Sequence, residues 1–278
     1  MIRLANRRSN SIPSGLPPGP VSAGQYFGVV LILSLPFYTL GFTGATLPFA
    51  PALPISALMA CVPMFAALCL VWHRNGGTAA GKLFNSAFDI RAIPGAGWVA
   101  VAVGFMPVAF GLTGGLVWLS GPLLPVPDLL PASAAIPALV LFFIGAVGEE
   151  VGWQGYAYPV LRQTRSALGA ALIVGVVWAS WHVIPFWLMG RTVTWIIWQS
   201  LAIGLMRIVI VWLVLNAGQS ILIAVLFHMM SNSAWGVVLD FDHWYDPMIM
   251  SVILGVSVAA IVVLRGLDPS LLAKDGLT

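Results

Sequence analysis

Apolar residues in this chain neither alternate nor recur on one helical face; they come in blocks. Eight stretches are apolar on every side, at roughly 24–45, 53–72, 97–119, 135–157, 168–189, 194–214, 219–239 and 247–265. A helix of about 20 residues rises about 30 Å, the thickness of a bilayer's hydrocarbon core. A helix that is hydrophobic all round belongs in lipid or deep inside a protein. The pattern therefore predicts about eight transmembrane helices. The breaks hold turn formers and charge: Arg74-Asn75-Gly76-Gly77, Pro122 to Pro131, Arg162 to Arg165, Gly190-Arg191, and Asp240 to Pro247. Residues 74–94 are too polar to span and too long for a tight turn. Leu83, Phe84, Phe88 and Ile90 mix there with Lys82, Asp89 and Arg91, which predicts a short interfacial segment.

Composition narrows the class. Of the 278 residues, 60% are hydrophobic and only 8% charged. A soluble domain carries about 25% charged residues, so this chain cannot cover a water-facing surface. A soluble enzyme, a disordered chain and a nucleic-acid binder are excluded; the lipid bilayer is the expected surroundings. Charge placement then tests the span count. With the N-terminus in the cytoplasm and eight crossings, the inner segments hold Arg3, Arg7, Arg8, Arg74, Lys82, Arg91, Arg162, Arg165, Arg265 and Lys274. The outer loops hold only Arg191, and Arg207 lies within a span. This is the positive-inside bias. The expected architecture is thus an all-α polytopic membrane bundle with both termini cytoplasmic, in a bacterial inner membrane. A polar tail at 1–22 precedes a membrane domain at 23–266, and a second tail follows at 267–278. The first tail does not read as the start of a cleaved signal peptide. Trp72, Trp98, Trp118, Trp244 and Tyr245 sit at span ends, as an aromatic belt predicts. Gly41, Gly111, Gly114 and Gly115 read as helix close-packing positions. Cys61 and Cys69, about 12 Å apart along a helix, should stay unpaired.

Ionisable residues inside a span cost at least about 2.5–3.5 kcal/mol each at mid-helix, so their presence points to a function. Here they are Glu149 and Glu150 in the fourth span, His182 in the fifth, Arg207 in the sixth and His228 in the seventh. By span position, Glu149, His182 and His228 can share one membrane layer. His228 and Asn232 are four residues apart and share a face, as do Trp178 and His182. Adjacent Glu149 and Glu150 diverge by about 100°, so one enters a shared site directly and the other needs a cation. Arg207 is the expected partner of Glu150. The chain has no H-E-x-x-H and no G-x-S-x-G. Ser180 faces away from His182 on a helix. A glutamate opposite a histidine can activate water, and a second histidine with an amide can donate to an oxyanion. Alternatively, Glu149, His182 and His228 could hold a zinc ion with an open fourth position.

The residues around these groups resemble a known family. Gly148-Glu149-Glu150-Val151-Gly152-Trp153-Gln154-Gly155-Tyr156 is similar to the first motif of the CPBP intramembrane proteases, relatives of the CAAX prenyl endopeptidase and Abi-type proteins. Trp178-Ala179-Ser180-Trp181-His182 resembles the second motif, with Trp where Phe is usual. His228-Met229-Met230-Ser231-Asn232 resembles the third. The likeness covers about residues 135–240. It implies a membrane endopeptidase acting on a peptide or membrane-protein substrate. By similarity, Glu149 is the general base, His182 its partner for the water, and His228 and Asn232 stabilise the oxyanion. Glu150 organises the site. No cofactor is expected, with zinc the minority alternative. The sequence departs from the family at Gln154, where Arg is usual. Arg207 could compensate for the missing cation, and with the site intact Gln154→Arg should be neutral or activating. Other classes consistent with the spans are a proton-coupled transporter, for which inverted repeats are missing, and a non-catalytic immunity or scaffold protein.

Overall fold

The computed structural model describes residues 22–47, 50–121, 128–236, 238 and 241–264. Both predicted tails therefore lie outside the described residues, apart from Ser22, together with Arg3, Arg7, Arg8, Arg265 and Lys274. Every predicted apolar block holds a helix. In chain order these are α1 (Ala23–Gly41), α2 (Val62–Asn75), α4 (Ala96–Ser120), α5 (Ala132–Gly152), α7 (Ala167–Leu188), α8 (Val193–Asn216), α9 (Ile221–Gly236) and α11 (Pro247–Leu264). Shorter elements join them: α3 (Gly77–Ser86), α6 (Tyr158–Arg162) and α10 (Phe241–Trp244). Among the described residues six helices are long and apolar enough to cross a membrane, and Ile221–Gly236 and Pro247–Val263 are shorter apolar helices.

Local chemistry sets the helix ends. Ser22, Ser166 and Thr192 each accept a hydrogen bond from the backbone N–H three residues on, at 3.2, 3.1 and 3.2 Å, starting α1, α7 and α8. Asp246 caps α11, accepting from Met248 N at 2.7 Å and Ile249 N at 3.2 Å, with Pro247 at the first helical position. Gly76, Gly190 and Gly218 follow α2, α7 and α8 with φ of 80°, 74° and 71°, a conformation that stops a helix. The polar segment after α2 forms α3 and a 3₁₀ turn at Ile90–Ala92, with Phe88 and Ile90 exposed.

The outward surface is apolar. Leu31, Ile32, Val108, Leu112, Ile136, Val140, Val176 and Ile197 are all exposed. Water-soluble monomers rarely show apolar surface on that scale. The chain is a helical, multi-pass membrane protein. Of the six long helices, α8 is the most enclosed, with 61% of its apolar window buried. It packs against α7, α9 and α11. Where α7 meets α8, a Cβ on Gly175 would lie 3.2 Å from the Gly204 carbonyl and 3.3 Å from Arg207 Cβ. This close approach brings the Arg207 backbone up against α7. The first helix is pinned by polar contacts: Tyr38 donates to Trp181 O at 2.8 Å, and Trp181 Nε1 donates to Ser34 Oγ at 2.8 Å.

Three expectations change. A small antiparallel ribbon, β1 (Thr46–Leu47) and β2 (Ala50–Pro54), precedes a 3₁₀ stretch at Ile55–Cys61, so α2 proper starts later than its apolar block. Tyr245 is not a belt residue. It is buried, donates to Gln199, and sits in van der Waals contact with Phe241 and Phe110. Burial pushes its phenol well above the ordinary tyrosine range. Of the four glycines read as close-packing positions, Gly41 and Gly114 meet a neighbour, while Gly111 and Gly115 face open space.

Two close backbone approaches occur one turn apart on α5. A Cβ on Gly148 would sit 2.6 Å from Ala60 O, and one on Gly152 would sit 2.5 Å from Pro63 O and 2.3 Å from the Tyr26 hydroxyl. Backbone cannot move aside as a flexible side chain can. Gly152→Ala is therefore expected to destabilise the bundle by about 1–3 kcal/mol through overpacking. Gly111→Ala, which meets nothing, should leave the melting temperature within about a degree or raise it, since Ala is the better helix former. Thermal unfolding of the two variants in one detergent checks this contrast.

Candidate active site

The fourth membrane helix changes character where its glutamates lie. From Ala146 to Ala157 every residue is buried. Just past Glu150 the helix widens into a π turn at Trp153–Ala157 before closing again as α6. Such turns need an inserted residue and occur often beside functional groups. Gly148 and Gly152 let this stretch lie against the start of α2, so both glutamates are held deep within the protein.

Glu150 and Arg207 are both 0% exposed. Arg207 grips the carboxylate with two hydrogen bonds, Nη1 to Oε2 at 2.7 Å and Nη2 to Oε1 at 2.9 Å. This fork geometry is the strongest form of the pair. Oε1 also accepts from His228 Nδ1 at 2.9 Å. A carboxylate only accepts, so the hydrogen is on Nδ1 of His228 and its Nε2 is turned elsewhere. The guanidinium carbon lies 4.1 Å from the centroid of the Trp178 ring, a cation–π stack. The expected Glu150–Arg207 pair is present, with His228 as a third member.

Glu149 points another way, as the helical angle requires. Its Oε2 accepts from the indole N–H of Trp178 at 2.6 Å. Its Oε1 lies 4.0 Å from Nε2 of His228. That gap is too wide for a direct hydrogen bond, and one water oxygen could bond to both atoms. His182 donates from Nδ1 to the Trp178 carbonyl at 2.8 Å, because a carbonyl can only accept. Its ring stacks on Phe186 at 5.6 Å and meets the Trp181 ring edge-on at 5.0 Å. Asn232 lies half-buried on α9, one turn beyond His228. Ser180 is exposed and donates to Val176 O, so it takes no part in this cluster.

Four helices thus bring Glu149, Glu150, His182, Arg207 and His228 around one residue, Trp178. Glu149 faces His228 more closely than it faces His182, whereas the sequence pointed to His182 as its partner. Among the described residues no three of His, Cys, Asp and Glu are arranged as a metal site. Two contributors escaped the sequence reading. Trp178 stood out only as a motif aromatic, although Trp in place of Phe signals an extra N–H. Gly148 and Gly152, spaced four apart beside the glutamates, carried a close-packing signal that went unread.

Gln154 occupies the position where a motif cation was expected. It is 3% exposed, and its Oε1 has no hydrogen-bond partner among the described residues. Both Glu150 oxygens are already engaged by Arg207 and His228. A second cation at Gln154 would be buried without a counter-charge, so Gln154→Arg is no longer expected to be neutral.

Comparison with known proteins places this site in context. Residues 131–234 match the family model described as Type II CAAX prenyl endopeptidase Rce1-like. The chain is also 27% identical over 222 residues to CAAX prenyl protease 2 of Methanococcus maripaludis, covering 70% of this chain and 78% of that protein. The matched segment contains Glu149, Glu150, His182, Arg207, His228 and Asn232. These findings bear out the likeness to CAAX-type proteases.

The buried pair yields a sharp expectation. Arg207→Met or Glu150→Leu alone leaves one uncompensated buried charge and should cost about 3–5 kcal/mol. The double variant should cost clearly less than the two single losses together, read by unfolding of purified protein. Gln154→Arg should destabilise the natural chain yet restore stability to Arg207→Gln, because it returns a cation one turn from Glu150.

Proposed function

We propose that this protein hydrolyses a peptide bond within or beside the membrane by direct attack of a water that Glu149 activates. The observation that carries this reading is the setting of Glu149: one carboxylate oxygen is occupied by the Trp178 N–H, and the other is open at 4.0 Å from His228 Nε2. A glutamate so placed has a single basic oxygen directed at one small volume, as a general base requires.

The chemistry follows from the residues. Glu149 Oε1 takes a proton from water as the water oxygen bonds to the scissile carbonyl carbon. The carbonyl π electrons move onto oxygen, giving a tetrahedral oxyanion. His228 and Asn232 flank that oxygen. The Nδ1–H of His228 is committed to Glu150, so Nε2 is the atom it offers. As the imidazolium, with Glu150 opposite its Nδ1, His228 donates from Nε2, and the Asn232 amide adds a neutral donor. When the C–N bond breaks, the proton held by Glu149 passes to the leaving amine. His182 has its Nδ1–H fixed by the Trp178 carbonyl, and its free Nε2 orients the water or relays that proton. Products are an amine and a carboxylic acid, which gives its remaining proton to the amine or to solvent, with no covalent enzyme intermediate and no cofactor. Glu150 holds His228 and does not react.

The eight crossings and the cytoplasmic termini are part of this proposal and rest on the charge bias of the loops; residence in a bacterial inner membrane is proposed with them. The substrate class is a peptide or membrane protein. The relative's name specifies CAAX prenyl substrates, and a lipidated peptide is accordingly the first to try here. Family likeness favours this reading over a transporter or a non-catalytic scaffold.

The test uses purified full-length protein in lipid nanodiscs and an internally quenched peptide ending in a prenylated CAAX sequence, with its unprenylated counterpart alongside. Glu149→Gln should lower kcat by at least about 10³-fold, the scale of removing a base that acts in the transition state. Asn232→Ala should lower it by about 10²–10³-fold, the usual loss for one oxyanion donor. Chelator treatment should leave the rate unchanged. Cleavage that survives Glu149→Gln overturns the mechanism, and loss of activity on chelation with recovery on adding zinc replaces it with metal-assisted hydrolysis.

A further inference from the structure

An indole N–H buried in a membrane bundle must find an acceptor. Trp178 is 1% exposed, and the acceptor its N–H takes is Glu149 Oε2, at 2.6 Å. That is slightly shorter than the usual N–H···O range, in the direction that a charged acceptor takes. The other faces of the residue are also engaged. Its ring stacks under Arg207 at 4.1 Å, its edge meets the His228 ring at 5.1 Å, and its carbonyl accepts from His182 Nδ1 at 2.8 Å. Groups from α5, α7, α8 and α9 therefore converge on one side chain and its own peptide.

We propose that Trp178 is the positioning residue of this site, its N–H pinning one Glu149 oxygen so that the other is directed at the water. This rests on the hydrolytic role given to Glu149 above. A glutamate side chain has several accessible rotamers, and without a partner its carboxylate would sample them or turn toward Arg207. The N–H removes that freedom before substrate arrives, which is the kind of pre-organisation that lowers a barrier. The arrangement is particular to tryptophan at this place. A phenylalanine, the residue usual in the resembling motif, would keep the face toward Arg207 and the carbonyl toward His182, and would lose only the N–H.

That makes Trp178→Phe a clean subtraction. With the same nanodisc protein and quenched prenylated peptide, the variant should lose about 10- to 100-fold in kcat, the scale of a misdirected reacting group, while KM stays within about twofold. A kcat within about twofold of the natural chain overturns the proposal. Packing alone could also lower activity, so unfolding of the same variants is measured in a second background. Trp178→Phe should lower the melting temperature of the natural chain more than that of a Glu149→Leu chain, where the acceptor is gone. Equal losses in both backgrounds overturn the proposal. If Trp178→Phe by itself yields no folded protein, adding Glu149→Leu should recover it, because no carboxylate is then left without its donor; failure in both backgrounds overturns the proposal. An inactive natural chain, or full activity in Glu149→Gln, would instead sink the hydrolytic reading and leave the stability result to decide whether the N–H holds Glu149.

Discussion

A carboxylate and a guanidinium that both have no solvent exposure set the terms for the rest of this protein. Each charge alone would be expensive at this depth, and together they are tolerated because the contact between Glu150 and Arg207 is bidentate. The pair ties α5 to α8. Through the second acceptance at Oε1 it also ties both to α9, by way of His228. Three helices are thereby held in one relative register. A rotation of any one by a single residue would strand a charge, so the pair acts as a constraint on the bundle as well as a source of cohesion.

That constraint can be met only because the backbones come close. Gly148 and Gly152 bring α5 against the start of α2, and Gly175 opposite Gly204 brings α7 against α8 at the level of Arg207. Lipid offers no hydrophobic drive for helices to associate, so close van der Waals contact and buried polar links do this work. The bulky aromatic residues fill what remains. Trp178 sits between the charged pair and Glu149, and the aromatic cluster of Phe186, Trp195, Trp235, Phe241 and Tyr245 covers the side beyond His182. Glu149, the proposed base, thus lies one residue from the structural Glu150, yet each has its own set of partners.

Much of this was legible in the chain. Blocks of about 20 apolar residues mean helices of bilayer length, and every block holds one. The near-absence of charge made two adjacent intramembrane glutamates conspicuous. Their helical divergence, with one available cation, led to the Glu150–Arg207 pair. Local spacing could also say that Trp178 and His182 share a face. It misjudged Tyr245, because a tyrosine at a span end looks the same whether it faces the membrane surface or turns inward to Gln199. It misjudged Gly111 and Gly115, because a small residue shows only that close approach is permitted, and a neighbour must be there to use it.

The amino-acid sequence by itself determined the class of molecule, the helices and which few polar groups lie among them, since these follow from hydropathy, helix length and the cost of charge in lipid. Only the tertiary structure decided the partners. It joined His228 to Glu150, set Glu149 against the Trp178 N–H with His228 beyond, and made Gln154 a position already compensated from another helix. Those choices depend on the rotation and depth of α5, α7, α8 and α9 relative to one another, and side-chain contacts between helices far apart in the chain fix that geometry. No periodicity within a single helix encodes it.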